Sequence, residues 1–185
     1  DFPRTIREDP KRKGLLFVGT EHGIYLSFND GAAWQPLKLN LPTTPVHGIV
    51  VEDRDLVIGT HGRGFYVLDN IGVLRQATPE LTTNNLFVFE TFTPLRGRDR
   101  NVTFDYYLGK DADEVKVEFL DAQGSVLRSF TGTPKPSGSG LPEGVDPEMA
   151  AFFGMAPARV GVAKGMNRFT WDMRYEGATV FPGMI

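Results

Sequence analysis

Three histidines, at positions 22, 47 and 61, are the only imidazoles in the chain, and there is no cysteine. Zinc needs several nitrogen or sulfur ligands at fitting spacing. The gaps between these histidines are long, and no His-x-x-x-His pair occurs, so no metal site is expected. Glu52, Asp53 and Asp55 cluster around Arg54. Glycoside hydrolysis needs two carboxylates facing each other across a sugar, about 5–9.5 Å apart. Crowded into one short turn, these three read instead as a solvated connection. No Gly-x-Ser-x-Gly elbow is present to expose a nucleophilic serine. Gly59-Thr60-His61-Gly62-Arg63-Gly64 is glycine-rich, but it lacks the Lys-Ser/Thr of a phosphate loop and any following helix pattern, so no cofactor is expected. What remains is recognition chemistry. His61 and Arg63 put an imidazole and a planar guanidinium fork on one turn, and Glu21 with His22 occupies a similar turn earlier in the chain. His61 with Arg63 could line a site for an anionic or polar ligand, and Glu21 and His22 are the further candidate lining residues. The alternative is a pair of turns shaped by their glycines, with solvated side chains.

Glycine (21) and proline (13) together exceed the roughly 12% of average usage, which predicts many turns and short strands. Over residues 1–70 the runs Thr5 to Glu8, Leu15 to Gly19, Gly23 to Ser27, Ala33 to Leu37, Val46 to Val51, Leu56 to Thr60 and Phe65 to Leu68 read as seven strands. An internal repeat organises them. Leu16-Phe17-Val18-Gly19-Thr20 matches Leu56-Val57-Ile58-Gly59-Thr60, and each copy runs through a glycine turn into Ile24-Tyr25 or Phe65-Tyr66, with one extra residue in the second. A period near 40 with about four strands per unit is that of a β-propeller blade.

Residues 71–85 read as a connector, with a short helical turn near Ile71 to Gln76 and a helix start at Thr78-Pro79-Glu80. Beyond it, Leu86 to Phe89, Val102 to Tyr107, Glu114 to Leu120, Val126 to Phe130 and Asn167 to Asp172 read as strands of an incomplete immunoglobulin-like sandwich spanning 86–185. Asp121-Ala122-Gln123-Gly124 is a hairpin turn, and a long loop is expected over about 132–165. Within it, Asp146-Pro147-Glu148 opens a short helix over Met149 to Phe153. Arg96, Arg98 and Arg100 would share one face of a strand and read as an exposed edge. Tyr106, Tyr107, Phe152, Phe153 and Trp171 read as core, the alternative being a carbohydrate platform.

Ser27-Phe28-Asn29-Asp30-Gly31-Ala32-Ala33-Trp34 resembles an Asp-box, with Asn29 at the usual Asp and Ala33 at the usual Thr. Asn can still accept backbone N–H bonds in a turn, Gly31 can take a positive φ, and Trp34 can pack the turn. Ser27, Asn29, Asp30, Gly31 and Trp34 are therefore given structural roles. Thr5 to Asn70, including Gly59 to Asn70, is similar to the closing blades of the sortilin-like, BNR-repeat (Asp-box) propeller family of large secreted bacterial proteins. Gly165 to Tyr175 resembles the sandwich that follows the propeller there. The resemblance implies an all-β chain with closing propeller blades over 1–70, a connector over 71–85 and the sandwich over 86–185. It implies a secreted, periplasmic or cell-surface setting, and partnership with further blades of the same propeller.

Lys+Arg 20 against Asp+Glu 23 gives a net charge of −3, which argues against a nucleic-acid partner. No apolar run is long enough for a transmembrane helix. Both ends, Asp1 and Ile185, read as cuts in something longer. The functional expectation is a non-catalytic scaffold or recognition segment, taking a protein, peptide or glycan ligand on the propeller face that carries Glu21, His22, His61 and Arg63. One alternative is a glycoside hydrolase whose catalytic carboxylates lie elsewhere. Another is a structural subunit of an envelope assembly that docks through its sandwich. Asp-boxes recur across such different roles, and fold does not fix function.

Overall fold

The computed structural model describes residues 1–93, 101–134 and 158–175. Arg96, Arg98, Arg100, the helix expected over 149–153 and most of the 132–165 loop lie outside the described residues. The described chain is all-β apart from two single-turn helices. It divides into two units, Asp1–Thr78 and Pro79–Ile185.

In the first unit, β1 (Pro3–Glu8), β2 (Leu16–Thr20), β3 (Ile24–Ser27) and β4 (Gln35–Pro36) form an antiparallel meander. β5 (Val46–Val51), β6 (Leu56–Thr60) and β7 (Phe65–Leu68) form a second. The fourth strand is shorter than the Ala33 to Leu37 run suggested, because proline ends its ladder after two residue pairs. β5 packs across β1 and β2. Between the sheets, Leu15, Phe17, Ile24 and Leu26 meet Val46, Ile49, Leu56 and Ile58, all buried. Each such side chain contributes about 1.5–3 kcal/mol on burial. The close approach of β5 requires Gly19, since a Cβ there would lie 2.6 Å from the Val46 carbonyl oxygen.

The sequence repeat is a structural repeat in three details. The β2–β3 turn is closed by Thr20, whose N–H and hydroxyl both donate to the Gly23 carbonyl. The β6–β7 turn is closed in the same way by Thr60 on Gly64. Next, β1 and β5 each carry one extra residue against their partner strand. Arg4 sits between the pairs Pro3–Thr20 and Thr5–Gly19, and His47 sits between Val46–Thr60 and Gly48–Gly59. Such an irregularity re-aims the side chain it carries. Last, the chain leaves β3 and β7 through left-handed residues forty apart, Asp30 and Asn70, both at φ 58°.

After Asn70 the two repeats part. The first continues into β4, whereas the second buries Ile71 completely and forms helix α1 (Gly72–Gln76). The 71–85 stretch is thus not one piece. Its first part, to Thr78, packs in the first unit, and the 3-10 turn Pro79–Thr83 opens the second.

In the second unit, β8 (Leu86–Val88), β9 (Val102–Leu108) and β12 (Gly165–Trp171) form one sheet in the order β12-β9-β8. β10 (Val115–Leu120) and β11 (Val126–Gly132) form a hairpin. The hairpin turn is set by Asp121, whose carboxylate accepts the N–H groups of Gln123 and Ser125, with Gly124 at φ 84°. Along β10, Val115, Val117 and Phe119 are half-buried while Lys116, Glu118 and Leu120 are exposed, the period-2 pattern of a strand with one covered face. Phe119 and Phe130 of the hairpin pack on Phe104, Phe169 and Trp171 of the sheet, the closest pair being Phe119–Trp171 at 4.4 Å between centroids. Tyr106 is buried beside them and donates its hydroxyl proton to the Gly161 carbonyl. Trp171 and Tyr106 are therefore core residues, and Tyr107 is half-buried.

Candidate functional site

The two turns singled out by residue type come to the same end of the first unit. Val46 pairs with Thr60 while its carbonyl lies against Gly19, so Glu21–Gly23 and His61–Gly64 flank one point. Their side chains differ in state. The Glu21 carboxylate is ion-paired with Arg4, the extra residue of β1. His22 meets the Asp1 carboxylate through Nδ1. On the second turn, the His61 ring stacks on His47, the extra residue of β5, with centroids 5.4 Å apart and planes inclined by 24°. Arg63 is exposed and has no hydrogen-bond or ion-pair partner among the described residues.

The second turn is held from below. The His61 N–H donates to the Pro45 carbonyl, and the Thr44 hydroxyl donates to the His61 carbonyl. Gly62 and Gly64 have φ of 83° and 74°, with open space where a Cβ would stand. The N–H groups of Gly62, Arg63 and Gly64 donate to nothing among the described residues. Successive free amides in a turn with positive-φ residues make a concavity that accepts anions. His47 is the residue that the sequence did not assign to this site. The structure brings it there through the register of β5 against β6.

The Ser27–Trp34 turn, the stretch that resembles an Asp-box, lies at the opposite end. The buried Ser27 hydroxyl accepts the N–H groups of Gly31 and Asn29 and donates to the Asn29 side-chain oxygen, which also accepts the Ala33 N–H. Asp30 donates its N–H to the Gly14 carbonyl, and Gly31 has φ 86° under the Trp34 ring. Trp34 itself is 40% exposed, so it covers the turn without entering the core. Nearby, the Asp9 carboxylate is fully buried and accepts the N–H groups of Lys11 and Arg12 and the Nε–H of Arg75. Arg75 also donates to the carbonyls of Glu52 and Asp53, and Arg12 donates to those of Leu74 and Ala77. Burial lowers the pKa of the Arg12 guanidinium, against the opposing pull of Asp9.

The Glu52–Asp55 turn is therefore not simply solvated. Its carbonyls receive Arg75, Asp55 accepts the Asn70 N–H, and the exposed Asp53 pairs with Lys11, which holds its carboxyl below the usual range. These bonds tie the turn to Arg75, Asn70 and Lys11.

Two hollows open beside β3. One of about 320 Å³ is bordered by His22, Tyr25, Pro36, Lys38, Leu41 and Thr43. The other, about 100 Å³, is lined mainly by apolar residues, including Ile24, Leu37, Leu56, Ile58 and Leu68. Of the four candidate residues, His22 alone borders either of them. Among the described residues no group of three or more histidine or acidic side chains is placed to hold a metal ion, and no helix is long and apolar enough to cross a membrane. Compared with known proteins, the chain matches no family model, no curated protein and no solved structure.

Proposed function

We propose that residues 1–70 are closing blades of a BNR-repeat β-propeller and act as a non-catalytic recognition segment. The ligand, a peptide or glycan, is received at the end that carries Glu21, His22, His61 and Arg63. The observation that carries this reading is the repeat in three dimensions. Two consecutive meanders stack face to face, with Thr20 and Thr60 closing equivalent turns at one end and the left-handed Asp30 and Asn70 at the other. Turns that recur on one side of stacked blades form a shared surface, which is where such architectures bind.

The outer faces of both sheets support the further blades. Ile6, Val18, Tyr25 and Pro36 lie in register across the first sheet, and Val50, Val57 and Val67 lie in register across the second. Ile6, Val50 and Val67 are half or more exposed. Apolar rows of this kind fit neighbouring sheets of the same stack. The second unit, on this reading, is the sandwich that follows the propeller.

The test is a titration of the 15N-labelled chain with a panel of short neutral and charged oligosaccharides and hexapeptides. Amide shifts gathered at 20–23 and 61–64 are expected. Shifts gathered at the Asp-box end, or in neither region with any of the panel, overturn the reading.

A further inference from the structure

We infer that the His61–Gly64 turn is a subsite for an oxyanion carried on the ligand, and that the Glu21–Gly23 turn is not. This rests on the recognition reading above and narrows it to a ligand class. The two turns are closed by the same threonine bonds, but the second is one residue longer and carries two left-handed glycines, so the contrast lies in side chains and backbone together. In the first repeat the extra residue of the opening strand is Arg4, and it neutralises Glu21 just past the turn threonine. In the second repeat the equivalent positions hold His47 and His61, which stack on one another and bond to no carboxylate among the described residues.

Arg63, two residues from His61, adds a guanidinium without a partner among the described residues. The free N–H groups of Gly62, Arg63 and Gly64 are a second, independent donor set. The turn therefore presents a fork of guanidinium donors, two imidazoles and a run of open amides, with space above both glycines. A carboxylate or sulfate satisfies such donors with charge-assisted hydrogen bonds, and a neutral hydroxyl does so only weakly. The chain as a whole is not basic, with a net charge of −3. The preference is a property of this turn.

The experiment uses the full 15N-labelled chain and four probes: sodium glucuronate, glucose 6-sulfate, inorganic sulfate and glucose. Saturable shifts at 61–64 are expected with the three anions and not with glucose. Affinity should fall by about tenfold in Arg63→Gln, the loss of one charge-assisted contact. His47→Gln and His61→Gln should each weaken it by less, and Glu21→Gln should not reduce it. The Arg63 side chain has no bonding partner among the described residues, so its variant should keep the wild-type spectrum elsewhere. If the sugar acids bind more tightly than inorganic sulfate, the oxyanion is recognised on a sugar; if they bind equally, it is recognised by itself. Glucose binding at 61–64 as well as glucuronate does overturns the oxyanion inference and leaves the recognition reading intact. Equal anion binding by wild type and Arg63→Gln also overturns it. No response at either turn to any probe or panel member overturns both.

Discussion

The two repeats of the first unit share their threonine turn closures, their extra strand residues and their left-handed exits, yet they finish differently. The first closes through the Ser27–Trp34 turn into a fourth strand. The second closes through the buried Ile71, the single-turn helix α1 and Arg75. At the other end the first carries an opposite-charge pair, Arg4–Glu21, where the second carries a stacked pair of histidines. Backbone geometry is thus set by a few recurring residues, namely Gly19, the turn threonines and the αL positions. The side chains at equivalent points are free to be structural in one repeat and available in the other.

The largest expected effect tests the closing device of the second repeat. Asp9 is fully buried and holds Arg75, and Arg75 binds two carbonyls of the β5–β6 turn. Removing one partner of a buried pair leaves a charge without compensation, at a cost of about 3–5 kcal/mol. Arg75→Ala should therefore lower the stability of the first unit by about 3 kcal/mol. The chain has two tryptophans, Trp34 in the first unit and Trp171 in the second. Denaturant unfolding read from Trp34 in a Trp171→Phe background isolates the transition of interest. A change under about 1 kcal/mol would mean that the helix is an appendage and that the repeats close independently of it.

Much of this architecture was legible in the sequence because it rests on local signals. The matching Leu-x-x-Gly-Thr runs fall on β2 and β6, and the glycine turns fall between the strands that they were expected to join. Gly31 adopts the positive φ that its place in the box requires. The pairing of His47 with His61 was not legible, because it depends on which residue of β5 is left over when β5 registers against β6. Spacing alone gives no sign of that. The same holds for Arg75, whose partners lie 66 residues back on Asp9 and 22 residues back on Asp53. Trp34 shows the opposite case. Its type suggests a packed anchor, but the four-stranded sheet ends beside it and leaves it partly open.

An intermediate effect tests the closing device of the first repeat. Ser27 is fully buried, and its hydroxyl serves Gly31, Asn29 and the Asn29 side chain at once. Ser27→Ala leaves those backbone N–H groups short of an acceptor, which costs about 2 kcal/mol. The same fluorescence measurement applies. If Ser27→Ala proves as costly as Arg75→Ala, the two closures are equivalent in energy as well as in place, and the contrast drawn between them narrows to geometry.

The smallest effect on stability is the most direct probe of the contrast between the turns. Arg4 and Glu21 are both partly exposed, and an exposed pair contributes only about 0.2–1 kcal/mol. Glu21→Gln should therefore barely move the unfolding midpoint. Its consequence should lie in binding, because it frees the Arg4 guanidinium beside a turn closed by the same threonine bond as His61–Gly64. Shifts at 20–23 on addition of glucuronate, absent in the wild type, are expected in the variant. If they do not appear, neutralisation by Glu21 is not what separates the two turns. The difference must then lie in the donors of the second turn itself, the three free amides and the extra residue that gives it Arg63.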